Sequence, residues 1–180
     1  MYNSNMKYLI IMLLCFSVEA SIKKALKRSP VKRAYINMIY YYSGLELLSI
    51  DETKYLVAMG WVESNLHPDP HPTIPTEKSY GFFQIQLETG KRECKGLINT
   101  VEDLKDIGKN IRCGVNLFKT NLIKYRDPII AVASHNSGSP IVCKKNYTYV
   151  NKDGIEFKCK KGLFMNIEYV RKVLEAYRTL

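Results

Sequence analysis

Four prolines fall within nine residues at positions 67–75, HPDPHPTIP. Because proline fixes φ and removes a backbone donor, no helix or central strand can run through this stretch, and we expect a loop. The loop ends the helix before it and separates that helix from the rest of the chain. His67, Asp69 and His71 match no standard metal-ligand spacing, so we predict no metal site and no cofactor.

The first 20 residues resemble an export signal. Residues 8–17, YLIIMLLCFS, form an apolar run that is short for a membrane span, with Lys7 before it and the small residue Ala20 after it. We expect a signal peptide at 1–20 and a location in the periplasm or cell envelope. The basic residues at 23–33 oppose translocation, so an uncleaved N-terminal anchor stays open as an alternative.

Four cysteines remain beyond residue 20, and an even number in an exported chain favours disulfides. Three pairings are possible. We favour Cys94 with Cys113 and Cys143 with Cys159, because each of these loops encloses a compact segment. Each closure would stabilise the fold by about 3 kcal/mol, since it restricts the unfolded chain.

The formal net charge of +10 attracts polyanions, whether nucleic acid, anionic lipid or the acidic polymers of a bacterial wall. An exported chain has little access to nucleic acid, and the sequence has no helix-turn-helix, zinc finger or aromatic-basic repeat. We therefore expect no nucleic-acid partner. We also expect no stable membrane partner unless the N-terminal segment stays uncleaved.

Capping and periodicity signals predict a mainly α fold. Ser49 and Glu52 have the spacing of a capping box, so a helix should run from there to the proline-rich loop. The other predicted helices begin at Pro30 and end at Gly44, occupy 102–125 as a pair, begin at Asp127-Pro128, and close the chain at 166–180.

Two segments have no helical pattern. Residues 79–90, SYGFFQIQLETG, mix glycine, aromatic residues and glutamine, and we expect a short extended or looped segment. Residues 146–158 alternate on both sides of Asp153-Gly154, which predicts a small β-hairpin closed at its base by Cys143 and Cys159.

Glu63 lies on the apolar stripe of the second helix, together with Leu56, Met59 and Gly60, because residues three, four and seven apart share a face. Burial and the negative end of the helix dipole both disfavour the charged carboxylate, so both should raise the pKa of Glu63. A raised pKa suits a general acid. The alternative is an acid at the edge of the stripe that reaches water or pairs with a lysine.

Five blocks in order resemble the soluble lytic transglycosylase (SLT-domain, lysozyme-like) family. They are WVESNLHP at 61–68, SYGFFQIQLETG at 79–90, NIRCGVNLF at 110–118, AVASHNSG at 131–138 and IEYVRKVL at 167–174. The resemblance implies a lysozyme-like domain over 49–180, preceded by a basic segment and first helix over 21–48. It also implies an enzyme that cleaves the bond between N-acetylmuramic acid and N-acetylglucosamine in peptidoglycan glycan strands.

In that family the Glu at the position of Glu63 is the single catalytic acid/base, and the product is a 1,6-anhydro sugar. Ordinary glycosidases use two carboxylates, and no second acid stands at a position of these blocks that matches the family. A hydrolytic muramidase on the same fold is the nearest alternative, with Asp69 and Glu88 as its available second carboxylates. A wall-binding or assembly protein without activity is a further alternative.

The resemblance also implies supporting residues. Gln84 and Asn136 would contact acetamido or hydroxyl groups of the substrate, Tyr169 would orient the Glu63 carboxyl, and Ser64 would hydrogen-bond near the acid or the substrate. Ser64 could equally bond its own helix backbone. His135 stands where the family has Tyr, so an imidazole would lie near the acid.

The segment 139–162 has no counterpart in the matched blocks. It could shape the groove or bind another protein. Small single-domain members of this kind resemble the wall-openers of secretion or conjugation systems, so such an apparatus is a potential partner beside the glycan strands.

Overall fold

A computed structural model describes Lys27 and residues 29–70, 78–138, 140–145, 147–150, 156–159 and 161–180. The predicted signal peptide, most of the basic segment that follows it and residues 71–77 of the proline-rich loop lie outside this part. Within the described residues, no helix combines the length and the apolar character needed to cross a membrane.

The described part contains seven helices and two small antiparallel sheets. The helices are α1 Pro30–Leu45, α2 Ile50–Ser64, α3 Leu87–Glu93, α4 Val101–Lys105, α5 Ile107–Tyr125, α6 Pro128–Ser137 and α7 Ile167–Tyr177. The strands are β1 Ser79–Tyr80, β2 Ile85–Gln86, β3 Tyr147–Val150 and β4 Glu156–Cys159. This confirms the predicted mainly α, lysozyme-like architecture with a small hairpin.

Local capping explains where the helices begin. Ser49 accepts from the backbone of Glu52, and Glu52 accepts in return from the backbone of Ser49, so the predicted capping box is present. Asp127 accepts from the backbone N–H groups of Ile129 and Ile130 and starts α6 beside Pro128.

The prediction for 79–90 is wrong in its last four residues. Residues 79–86 are two short strands around a turn, as expected, but the chain enters α3 at Leu87. Gly90 is buried, and a Cβ there would lie 2.7 Å from the Ile98 side chain. Tertiary packing against Ile98 therefore favours a helix that has no side-chain cap of its own.

The core is formed around α2, which packs most extensively against α7 and also touches α1, α5 and α6. The predicted stripe on α2 is buried, since Leu56, Met59 and Gly60 all face the interior. Phe82, Phe83 and Phe118 are the largest fully buried side chains. The acid-bearing helix thus contributes one whole face to the core of the described part.

A disulfide joins Cys94 and Cys113, as predicted, and links the end of α3 to the middle of α5. Cys143 is also in a disulfide. The side chain of Cys159 lies outside the described part, so its pairing with Cys143 stays a prediction. The strands of the hairpin pair in the register Tyr147 with Cys159 through Val150 with Glu156, which confirms the predicted hairpin.

Candidate active site

Glu63 lies in the last turn of α2 and lines a cleft of about 350 Å³. Its side chain is only 13% exposed. The helix ends directly after it, because Asn65 and Leu66 both adopt left-handed backbone conformations. Their N–H groups donate to the carbonyls of Trp61 and Gly60, respectively. The acid is therefore held at a fixed helix end, largely enclosed but open to the cleft.

The turn from Gly81 to Gln84 packs directly on the helix that carries the acid. A Cβ at Gly60 would lie 2.2 Å from the Phe82 ring, and a Cβ at Gly114 would lie 2.2 Å from the Phe83 ring. Gly60 on α2 therefore leaves room for the Phe82 ring, and Gly114 on α5 leaves room for the Phe83 ring. The turn is wedged between two helices.

Asn110, on α5 like Gly114, holds the same turn through hydrogen bonds. It is fully buried, and its Nδ2 donates to the carbonyls of Tyr80 at 3.0 Å and Leu104 at 2.8 Å. Its Oδ1 accepts from the backbone N–H of Phe83 at 2.8 Å. Gly81 has φ of +70°, and a Cβ there would lie 2.1 Å from the Leu104 carbonyl oxygen. Asn110, Gly81 and Gly114, all from segments that resemble the family, thus shape the site without lining the cleft.

Gln84 lines the cleft from the end of this turn. Its backbone has φ of +49°, which is uncommon for a residue other than glycine. Its Nε2 donates to the Gly81 carbonyl at 2.8 Å. Because a carbonyl can only accept, this bond determines the orientation of the amide and leaves Oε1 as the group available to a ligand.

His135 lies between the turn and the acid. Its Nε2 is 3.0 Å from the Phe83 carbonyl oxygen and 3.8 Å from Oε1 of Glu63, and the side chain is only 5% exposed. Because the carbonyl needs a donor, Nε2 carries the proton, and the buried Nδ1 has no described partner. Burial lowers the pKa of His135, although the bond to Phe83 acts in the opposite direction. The imidazole next to the acid is therefore neutral.

Tyr169 approaches Glu63 from α7. Burial, followed by the neighbouring Glu63, raises the pKa of Tyr169 well above its ordinary value. The Tyr169 hydroxyl is buried, and no described group forms a well-aligned hydrogen bond with it. Glu63 is nevertheless close enough to raise the pKa of the phenol. The phenol therefore stays protonated beside the acid.

Asn136 and Ser64 have different positions. Asn136 is exposed near the end of α6 and lines the cleft, with its Oδ1 accepting from Nδ2 of Asn166 at 3.1 Å. Ser64 does not line the cleft. Its buried hydroxyl donates to the Gly60 carbonyl at 2.9 Å and accepts from the His67 N–H at 3.2 Å. These contacts match the alternative that Ser64 secures the helix end.

The rest of the cleft contains polar residues that the sequence reasoning did not identify. They come from α3 and α5 and include Arg92, Glu93, Thr120, Asn121 and Lys124. In the sequence these residues appear only as the polar face of a helix. The helix α5 was predicted from its apolar face, and α3 was not predicted. Asn166, which contacts Asn136, was also missed.

A second carboxylate lies in the cleft, and it belongs to neither sequence candidate. Asp69 and Glu88 do not line the cleft, whereas Glu93 does. Glu93 Oε1 accepts from Nε of Arg92 at 2.6 Å. Glu93 therefore has a partner of its own in Arg92.

No group of three or more His, Cys, Asp or Glu side chains that could hold a metal ion occurs among the described residues. His71 lies outside them. In the described part of the proline-rich loop, Nδ1 of His67 accepts from the backbone N–H of Asp69 at 3.2 Å.

Comparison with known families gives a match to the transglycosylase SLT domain over residues 49–157. This range includes Glu63, Gln84, His135 and Asn136, and it ends before α7. Comparison with curated proteins gives no match.

Proposed function

Because the chain belongs to the transglycosylase SLT domain family, whose members act on peptidoglycan, we propose that it is a lytic transglycosylase. It cleaves the bond between N-acetylmuramic acid and N-acetylglucosamine and forms 1,6-anhydro-N-acetylmuramic acid. Glu63 is the single general acid/base. The observation that carries this proposal is the enclosed Glu63 carboxyl at a helix end, open to a cleft and flanked by two neutral groups.

The reaction needs a proton donor first and a proton acceptor second. Protonated Glu63 gives its proton to the glycosidic oxygen, and the bond from that oxygen to C1 of the muramic acid breaks. The N-acetylglucosamine leaves with a new hydroxyl. The carboxylate then removes the proton from the 6-hydroxyl of the muramic acid, whose oxygen bonds to C1 and closes the anhydro ring. Glu63 is protonated again, and no water is consumed.

The neighbours of Glu63 suit this cycle. A cationic partner would hold the acid in its charged form, but His135 is neutral because its burial lowers the pKa of the imidazole. Tyr169 stays protonated and supplies an O–H group beside the carboxyl. Neither group adds a positive charge that would oppose the protonated state needed in the first step.

A hydrolytic muramidase is the second candidate, and Glu93 is the observation that favours it. A carboxylate on the same cleft could activate a water molecule as a second catalytic group. Its bond to Arg92 argues against that role, because the guanidinium already occupies one of the two carboxylate oxygens.

Product analysis separates the two candidates. Mass spectrometry of digested peptidoglycan should give anhydro-muramyl ends for the wild type and for Glu93→Gln. Glu63→Gln should lose at least about a thousandfold in rate, since it removes the only proposed proton donor and acceptor. Reducing ends together with loss of activity in Glu93→Gln would favour the muramidase. Full activity of Glu63→Gln would exclude both.

The proposal includes export to the periplasm or cell envelope, where peptidoglycan lies. The Cys94–Cys113 disulfide and the disulfide of Cys143 support this location, because disulfides persist in oxidising compartments. We also include a role as a dedicated wall-opener for a secretion or conjugation apparatus, on the basis of the resemblance to the wall-openers of such systems. Fractionation of cells that produce the full chain, with thiol labelling of each fraction, tests the location.

A further inference from the structure

Asn166 occupies the N-cap position of α7 but does not cap that helix. An asparagine at this position ordinarily accepts from a backbone N–H of the first turn. Here the side chain turns towards α6, and its Nδ2 donates to the Ala133 carbonyl at 2.8 Å and to Oδ1 of Asn136 at 3.1 Å. Its own Oδ1 is buried with no described partner. Asn166 thus makes these two contacts instead of capping α7, and its Oδ1 has no described partner.

The Ala133 carbonyl determines the direction of both amides. A carbonyl only accepts, so the group of Asn166 that faces it must be the NH2 group. The same NH2 group also faces Asn136, so Asn136 must present its oxygen to Asn166. The NH2 group of Asn136 is then the part of its side chain left for the cleft that Asn136 lines.

We infer that Asn166 is a positioning residue that makes Asn136 a hydrogen-bond donor towards the substrate. The inference rests on the proposed function, since it takes the ligand of the cleft to be an N-acetylated glycan. The acceptor that fits this donor is the carbonyl oxygen of an acetamido group. Gln84 has the opposite polarity, because its Nε2 is used by the Gly81 carbonyl and its Oε1 is left to accept.

The pair of side chains therefore matches the two ends of an amide. Asn136 donates to a carbonyl oxygen, and Gln84 accepts from an N–H. If Asn136 presented its oxygen instead, both side chains would be acceptors, and the carbonyl of an acetamido group would face a second oxygen. Asn166 thus determines whether the cleft offers a donor to the carbonyl oxygen of an acetamido group, whereas hydroxyl groups fit either orientation because they both donate and accept.

A double-mutant cycle for glycan binding tests this inference. It is measured in the Glu63→Gln background, in which the substrate is not turned over. The probe is peptide-free peptidoglycan glycan strands, and the Kd is measured for four proteins: the background alone, Asn166→Ala, Asn136→Ala and the double variant. We expect Asn166→Ala to raise the Kd about five- to tenfold, the worth of one hydrogen bond. In the Asn136→Ala background, Asn166→Ala should change the Kd less than twofold, because the two residues act as one unit.

The variant Asn166→Asp distinguishes a positioning role from a purely structural one, because the two roles predict different effects on the Kd. Aspartate is a good N-cap, so a residue that only stabilised α7 would tolerate it with unchanged binding. If Asn166 sets the polarity of Asn136, the carboxylate should accept from the Asn136 NH2 group and turn its oxygen to the cleft. The Kd should then rise at least as much as for Asn166→Ala. Thermal unfolding of each variant, with exposed Asn37→Ala as the matched control, separates binding from stability.

Several outcomes would overturn the inference. The effects of Asn166→Ala and Asn136→Ala on the Kd could multiply, Asn166→Asp could bind as well as the background, or the glycan could fail to bind the background at all. The proposed function has a separate test, since it fails if wild-type protein releases no anhydro ends. A chain that binds glycan with the expected cycle but cleaves nothing would keep the inference and lose the proposed reaction.

Discussion

At the scale of single residues, backbone carbonyls determine which atom each polar side chain presents to the cleft. The Phe83 carbonyl takes the proton-bearing nitrogen of His135, and the Gly81 carbonyl takes the NH2 group of Gln84. A carbonyl cannot reverse its role, whereas a side-chain amide or an imidazole can. The turn between the two strands thus sets the polarity of the site through its main chain.

The neutral state of His135 has a consequence for stability in acid. Its pKa is lowered in the folded protein, so below about pH 6.5, the ordinary value, the unfolded chain binds a proton that the folded chain does not. Stability from this residue is complete above that pH. It is lost as the pH falls from 6.5 to the folded pKa, at about 1.4 kcal/mol per pH unit.

Urea unfolding between pH 7.5 and pH 5 measures this loss. We expect His135→Gln to show a smaller decrease in the free energy of unfolding over that range than the wild type. Gln can still donate to the Phe83 carbonyl, but it does not titrate. An exposed histidine, His67, provides the control variant His67→Gln, which should follow the wild type. Parallel curves for all three proteins would mean that His135 titrates normally.

At the scale of elements, the site depends on how closely α2 and the Gly81–Gln84 turn approach each other. Gly60→Ala would place a Cβ 2.2 Å from the edge of the Phe82 ring, which is fully buried. We expect a loss of about 1–3 kcal/mol in the free energy of unfolding and a lower turnover rate, because α2 also carries Glu63.

The matched control is Gly44→Ala in α1, where a Cβ would have no heavy atom within 4 Å. It should stabilise the protein by about 0.5 kcal/mol, since it only restricts the unfolded chain. Chemical denaturation of both variants measures the difference. Adding Phe82→Leu to Gly60→Ala should recover part of the lost stability. Equal stability of Gly60→Ala and Gly44→Ala would contradict the close contact.

The elements differ in how far local sequence predicts them. The helices starting at Pro30, Ile50 and Pro128 were predictable, because their caps and prolines act within four residues. The helix α3 was not, since its stability comes from Gly90 packed on Ile98 and from a disulfide to a distant helix.

The same distinction applies to the candidate site. Glu63, Gln84, His135 and Asn136 line the cleft as matched blocks suggested. Asn166 escaped notice because its contacts cross from α7 to α6, 30 to 33 residues away along the chain, and no period or motif reports them. Glu93 escaped because it lies on α3, a helix that was not predicted.

At the scale of the whole molecule, the net charge of +10 should strengthen association with an acidic wall polymer. Such attraction is screened by salt, whose Debye length is about 10 Å at 0.1 M. We expect binding to whole peptidoglycan sacculi to weaken at least tenfold between 0.05 and 0.5 M NaCl.

Co-sedimentation with purified sacculi measures this effect. Lys95→Gln with Lys172→Gln removes two positive charges from exposed sites that do not line the cleft. This pair should reduce binding at low salt and leave it unchanged at high salt. Retention that does not depend on salt would mean that contacts in the cleft alone account for the association.

The wedged turn also limits how the specificity of this protein can be re-engineered. Gly60 on α2 and Asn110 and Gly114 on α5 constrain it from two helices, so a single exchange within residues 81–84 would disturb both helices as well as the groove. Libraries aimed at new glycans would do better to vary Thr120, Asn121 and Lys124. These side chains lie on one continuous helix and reach the groove.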